Sequence, residues 1–67
     1  MDNTKFNVRA LAGRKKISIE ELAVNSGIKP AHLKSVSSGR ATMTGADLIK
    51  LAIYTEVSPF AIDYTKN

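Results

Sequence analysis

The segment ISIEELAVNSGIKPAHLKSVSSGR, residues 17–40, carries the most specific structural signals of the sequence. It contains two short segments with apolar residues at helical spacing, and a glycine separates them. Ser18 as N-cap and Glu21 three positions later match a capping box, which predicts that a helix starts there. Gly27 ends that helix, because glycine accepts the positive φ that a helix terminus often needs. Residues 18–39 are therefore expected to form a helix, a short turn and a second helix.

The second helix of this stretch, from about Pro30 to Ser38, can bury very little. Leu33 and Val36 are its only large aliphatic residues, and they define its buried side. At about 100° per residue, the opposite side and its flanks carry Ala31, Lys34, Ser35 and Ser38. A helix that needed only solubility would carry larger charged residues there. Small residues instead let the backbone approach another surface, which predicts a helix that enters the major groove of DNA.

The first helix is expected from about Thr4 to Lys15, with Asp2 or Asn3 as its N-cap. Its inner face would carry the apolar side chains of Phe6, Val8, Leu11 and Ala12. The helix ends at the cations Arg14, Lys15 and Lys16, whose positive charge interacts favourably with the negative end of the helix dipole. Gly13 is a weak point inside this helix, since glycine lowers helix stability.

Two more helices are expected after residue 40. Thr44 and Asp47 match a second capping box and begin the fourth helix. Its apolar stripe would consist of Leu48, Leu51 and Ala52, with Ile49 as an optional further member. Ser58 and Pro59 are a typical N-cap and first-turn pair, and they predict a fifth helix with Phe60, Ala61, Ile62 and Tyr64. Phe60, Ile62 and Tyr64, together with Tyr54, are expected to be mostly core, and any of them exposed on the last helix would suit a dimer contact. The expected architecture is all-α: one compact five-helix domain over residues 1–67.

Composition excludes several kinds of site. The chain has 67 residues, no cysteine and a single histidine, His32, so the usual metal-ligand sets are missing. No apolar run approaches the ~20 residues of a membrane span, and the polar N-terminus lacks a signal-peptide pattern. We therefore expect a soluble, cytoplasmic protein with no metal and no cofactor.

Positive charge is concentrated in the first two thirds of the chain. Residues 5–40 carry eight basic and two acidic side chains, a net charge of +6, whereas residues 41–67 carry two basic and three acidic ones, a net charge of −1. Such an uneven distribution suits a polyanionic partner. Charges that serve only solubility are the alternative interpretation.

The stretch 17–40 resembles the helix-turn-helix of the lambda-repressor-like family, which includes phage Cro proteins and small repressors. VRALAGRKKIS at residues 8–18 is similar to the first helix of that family, and LIKLAIYTEVSPF at 48–60 to its fourth helix and the start of its fifth. The resemblance implies a domain that binds double-stranded operator DNA, commonly as a homodimer. It implies base-facing roles for Pro30, Ala31, Lys34 and Ser35. Phosphate contacts are expected from Ser18, Lys29, His32, Ser38 and Arg40; for His32 the favoured alternative is a partly exposed residue of the helix surface without a DNA contact.

The chain departs from the family pattern at several positions. Ile19 stands where many members carry a glutamine that contacts DNA. Ala12 and Ser37 stand where members often carry a buried Arg–Glu pair, and both charges are missing together, as expected because half of such a pair is costly. Glu56 replaces a glycine after the fourth helix. Pro30 brings no hydrogen-bonding side chain to a reading position, so modest direct readout, helped by DNA shape, is expected.

The sequence therefore predicts a small sequence-specific transcriptional regulator, most simply a phage-type repressor or Cro-like switch protein. The alternative is a protein-interaction module on the same scaffold, of an antirepressor or antitoxin-like kind, with a protein partner. An enzyme is not expected. Glu21 is better used as a cap, His32 has no nucleophile or orienting acid near it in the sequence, and no glycine-rich phosphate loop is present.

Overall fold

The computed structural model describes residues 5–63, which form four α-helices and a short 3-10 turn. The elements are α1 (Val8–Lys15), α2 (Ile19–Ser26), α3 (Pro30–Ser37), α4 (Gly45–Thr55) and the 3-10 turn (Pro59–Ala61). No strand is found in this part of the chain. The prediction of an all-α fold is confirmed for the described residues, but with four α-helices where five were expected.

The helix-turn-helix segment forms from the signals in its sequence. Ser18 Oγ accepts a hydrogen bond from the Glu21 N–H (3.0 Å), and Glu21 Oε1 accepts one from the Ser18 N–H (3.1 Å). Gly27 ends α2 with φ +86°, and the buried Ile28 anchors the turn. Lys29 then precedes α3 without capping it. The capping box and the glycine terminus are both confirmed.

The core lies between the four helices and is built from aliphatic side chains. α3 packs on α1 and α2, and α4 packs on α1, α2 and the 3-10 turn. The side chains with the least exposure are Leu11, Leu22, Leu33, Leu51 and Ile62. Each helix thus contributes one leucine to a common centre, which fixes the faces that remain for solvent.

The prediction for the start of the first helix was wrong. α1 begins at Val8, with Asn7 as N-cap, and Asn7 Oδ1 accepts a hydrogen bond from the Ala10 N–H (2.8 Å). Phe6 precedes the helix and forms an isolated parallel bridge with Ile62. The Phe6 N–H donates to the Ala61 carbonyl and the Asp63 N–H donates to the Phe6 carbonyl, both at 2.8 Å. The proposed caps Asp2 and Asn3 lie outside the described residues.

The predicted fifth helix is only a 3-10 turn. Ser58 Oγ accepts a hydrogen bond from the Phe60 N–H (3.2 Å) and starts the turn as expected. Ile62 then adopts an extended conformation, because its backbone neighbours pair with Phe6. Ile62 is buried as predicted, but Phe60 is 88% exposed and is not a core residue. Tyr64 lies outside the described residues.

α4 starts at the predicted capping box. The Asp47 N–H donates to Thr44 Oγ1 and the Thr44 N–H donates to Asp47 Oδ2, both at 3.1 Å. Leu51 and Ala52 are buried, but Ile49 is exposed and does not belong to the apolar stripe. Glu56 follows the helix in a left-handed conformation with φ +59°, so the turn for which glycine is usual forms with an acidic residue.

Candidate nucleic-acid interface

The exposed side of α3 is the side that the sequence predicted. Leu33 is fully buried, whereas Ala31, Lys34 and Ser38 are exposed. Ser35 is half-buried between these extremes. The remaining base-facing candidate, Pro30, and the second anchor, Val36, are also half-buried, and Val36 packs against the core. Because Ala31 is small and exposed, another molecule can come close to the backbone of α3 at this position.

Two side chains on this face already have partners. Ser38 Oγ donates a hydrogen bond to the Ser35 carbonyl at 3.1 Å, so its hydroxyl proton is engaged within α3. Lys34 Nζ lies 4.0 Å from Glu20 Oε2, and both side chains are more than half exposed. Surface pairs of this kind contribute about 0–1 kcal/mol, so Lys34 can leave Glu20 for another partner at little cost. The same contact places the first turn of α2, with Ser18, beside the exposed face of α3.

The N-terminus of α3 has no side-chain cap. Lys29 occupies the N-cap position without a capping hydrogen bond, and the backbone N–H groups of Ala31 and His32 have no partner among residues 5–63. Such free N–H groups and the helix dipole attract phosphate. Lys29 at this end and Arg40 just beyond the other end are exposed. Two of the predicted phosphate-contact residues, Lys29 and Arg40, thus flank α3.

His32 has a partner that sequence analysis did not find. Its Nε2 lies 2.6 Å from Oδ2 of Asp47, the carboxylate that caps α4. Burial raises the pKa of Asp47, but hydrogen bonds from the Thr44 backbone N–H, from His32 and from the Thr44 side chain outweigh it and lower the pKa below its ordinary 3.8. Asp47 is therefore ionised at neutral pH, and His32 must donate through Nε2–H. The orienting acid that seemed to be missing is 15 residues away in sequence.

The turn between α2 and α3 is also tied to α4. Lys50 Nζ donates to the Gly27 carbonyl at 3.3 Å, and Asn25 Nδ2 donates to the Tyr54 hydroxyl at 3.0 Å. Neither Lys50 nor Asn25 was among the predicted site residues. The sequence gives little indication of these two hydrogen bonds, because the residues that each bond joins lie 23 and 29 positions apart. These bonds hold the helix-turn-helix against the rest of the domain.

The cations at the end of α1 lie over aromatic rings. The Arg14 guanidinium is 5.0 Å from the centroid of the Phe6 ring, and Lys15 Nζ is 5.1 Å from that of Tyr54. Such contacts contribute about 0.5–1 kcal/mol at exposed sites. They give Arg14 and Lys15 a structural use at the end of the first helix.

Positions that depart from the family pattern are accommodated by packing. Ile19, which the resemblance aligned with a glutamine position, is half-buried and packs against the core. Ala12 is buried and Ser37 is half-buried. Neither residue is charged, so no half of an ion pair is buried at these two positions.

Four large apolar side chains are exposed among the described residues. Val24, on α2, is 63% exposed. The other three lie on α4 and the 3-10 turn, and we name them the C-terminal apolar residues: Ile49 (50%), Ile53 (73%) and Phe60 (88%). Ile49 and Ile53 share one side of α4 because they are four residues apart. Ile49 and Ile53 therefore form a small apolar pair on the surface of α4, and contiguous apolar patches are the feature that marks contact with another protein.

Comparisons of the chain with protein-family models, with curated proteins and with solved structures give no match. Within residues 5–63, no three His, Asp or Glu side chains form a group that could hold a metal ion. None of the helices described is both long and apolar enough to cross a membrane. The clearest candidate for a functional surface is therefore the open face of α3 with the basic residues at its ends.

Proposed function

We propose that the chain binds double-stranded DNA through the major groove and acts as a small transcriptional regulator. In its simplest form, the proposed regulator is a repressor or Cro-like switch protein of the lambda-repressor-like type. It would act in the cytoplasm of a bacterial or phage-infected cell. The observation that supports this proposal best is the asymmetry of α3. Leu33 anchors one side in the core, and the opposite side at Ala31 is small and exposed.

Base reading in this proposal is limited and partly apolar. The methyl group of Ala31 suits the methyl group of thymine, Ser35 can hydrogen-bond to a base edge, and Lys34 can reach guanine or phosphate. Pro30 can contribute only an apolar contact. Because few hydrogen-bonding groups face outward, sequence-dependent DNA shape supplies part of the discrimination.

Phosphate binding in this proposal comes from the two ends of α3 and from the start of α2. Lys29, Arg40 and the uncapped N–H groups of α3 can contact the backbone directly. Ser18 and Ser38 can do so only if their hydroxyl groups leave their present partners, Glu21 and the Ser35 carbonyl. The net charge of +6 on residues 5–40 strengthens binding to any duplex, and this contribution falls as salt concentration rises.

The chain is proposed to bind its operator as a homodimer. A helix-turn-helix dimer reads two half-sites about one helical turn apart, so the operator has the two-fold symmetry of the protein. The C-terminal apolar residues suit the contact between the two copies, since they lie in the part of the chain with a net charge of only −1.

The decisive substitution is Ala31→Glu, and its control is Ala10→Glu, because both alanines are exposed helical residues. Operator duplexes are first selected from a random pool, and affinities are then measured by fluorescence anisotropy. Ala31→Glu should weaken operator binding more than 100-fold, since a carboxylate facing the bases and phosphates costs several kcal/mol. Ala10→Glu should bind much as the wild type does. Circular dichroism should show the same helical content for all three proteins.

Two results would count against the proposal. Normal operator binding by Ala31→Glu would show that another surface contacts DNA. Uniformly weak binding to every duplex, together with tight binding to a protein, would favour the alternative of a protein-interaction module. The exposed Val24, Ile53 and Phe60 are the observation that favours this alternative, because monomeric proteins keep such residues few and scattered.

A further inference from the structure

We propose that His32 is a positioning residue of the DNA interface and does not itself contact DNA. Through its hydrogen bond to Asp47, His32 holds the first turn of α3 against the first turn of α4. It thereby sets the position of α3 in the major groove. This role rests on the proposed function, and it replaces the phosphate contact that the sequence suggested for His32.

The hydrogen bond joins the N-termini of two helices through one carboxylate. Asp47 Oδ2 accepts from His32 Nε2 at 2.6 Å and from the Thr44 N–H at 3.1 Å. His32 is the third residue of α3, and Asp47 is the third residue of α4. Asp47 is 7% exposed, so water competes poorly for this carboxylate, and charge-assisted bonds of this kind are among the stronger ones.

This bond matters because α3 and α4 do not pack closely. α3 has Cα atoms within 8 Å of α1 and α2, but none within 8 Å of α4. The packing of α3 is against α1 and α2, and the attraction between buried apolar side chains is non-directional. A directional hydrogen bond at the N-terminal turn supplies the restraint that the packing lacks.

The pairing also leaves His32 poorly suited to bind phosphate. Nε2–H is donated to Asp47, and the ring's other nitrogen, Nδ1, has no hydrogen-bond partner among residues 5–63. Nε2–H could reach a phosphate only if its bond to Asp47 broke, so this nitrogen is not free to contact DNA. Lys29 and the free N–H groups of the same turn supply donors without help from the imidazole.

A matched pair of substitutions separates the two roles of His32. His32→Gln places an amide nitrogen near the position of Nε2, and His32→Asn carries the same amide on a shorter side chain that falls short of Asp47. Each protein is titrated with the selected operator and with an unrelated duplex at several salt concentrations. We expect His32→Asn to lose about tenfold in operator affinity and His32→Gln to recover most of it. Affinity for the unrelated duplex and the salt slope should stay unchanged in both.

Three outcomes would overturn the positioning role. His32→Asn could bind the operator as the wild type does, His32→Gln could be as weak as His32→Asn, or both variants could lower the salt slope by about 1, which indicates a lost phosphate contact. A wild-type chain that prefers no duplex would overturn the proposed function and this role together. If His32→Asn does not fold, long-range ¹H–¹⁵N spectra of the wild type still test the bond. They should show the proton on Nε2 at neutral pH, and a proton on Nδ1 alone would exclude the bond to Asp47.

Discussion

Gly13 and Gly27 show how the same residue type has opposite effects at two positions. Neither has a heavy atom within 4 Å of the place that a Cβ would occupy, but only Gly27 has a positive φ, of +86°. Gly13 lies within α1, where glycine costs about 0.5–1 kcal/mol relative to alanine. Space alone therefore does not explain why glycine stands at either position.

We expect Gly13→Ala to raise the free energy of unfolding by about 0.5–1 kcal/mol. Gly27→Ala should lower it by about 1–2 kcal/mol, because an L-residue is strained in the left-handed region. Urea unfolding followed by circular dichroism measures both, with each variant serving as the control for the other. A stabilising Gly27→Ala would show that the turn between α2 and α3 can relax to a negative φ.

The elements whose signals are local are the ones that the sequence predicted well. Ser18 with Glu21 and Thr44 with Asp47 form the expected capping boxes, because a capping box depends on only four consecutive residues. The start of α1 and the fifth helix were wrong for one shared reason. Phe6 pairs with Ile62 across the chain, and no local window contains both residues.

The link between α3 and α4 predicts how stability depends on pH. The pKa of Asp47 in the folded protein is below its ordinary 3.8, so its ionised form stabilises the fold. That contribution is complete above the ordinary value and is lost as the pH falls through the folded value. Wild type should therefore be more stable than Asp47→Asn near neutral pH, and the difference should shrink below about pH 4.

Urea unfolding of wild type and Asp47→Asn at a series of pH values measures this difference directly. The gap in unfolding free energy should be of the order of 1–3 kcal/mol near neutral pH, the usual cost of an unsatisfied buried partner. Parallel stability curves down to strongly acidic pH would contradict the inference that ionised Asp47 holds the two helices together.

At the scale of the whole molecule, the sequence predicted the exposed face of α3 better than the hydrogen bonds that hold α3 in place. The exposed side of α3 follows from helical periodicity, since Leu33 fixes the buried side and leaves Ala31 opposite. The bonds that hold this helix in place, from His32 to Asp47 and from Lys50 to Gly27, join residues that only the tertiary fold brings together. No periodicity within one helix indicates such pairs.

The C-terminal apolar residues predict how two copies meet on DNA. A stable dimer buries about 800 Å² per partner, and three side chains supply much less than that, so we expect a dimer that is weak in solution and forms on adjacent half-sites. Phe60→Ser should leave the stability of the monomer almost unchanged, because this ring is 88% exposed. It should weaken binding to a full operator by about tenfold, the effect of losing roughly 1.4 kcal/mol at the contact between copies.

The measurement compares a full operator with a single half-site for wild type, Phe60→Ser and Val24→Ser. Val24 is an exposed apolar residue on α2, outside the C-terminal set, so Val24→Ser controls for the general loss of surface hydrophobicity. Phe60→Ser should weaken only the full-site complex, because a half-site binds one copy and needs no contact between copies. Sedimentation velocity on the full site should show two copies for wild type. Equal loss on both duplexes would mean that Phe60 acts within one copy, and no loss on either would place the dimer contact elsewhere.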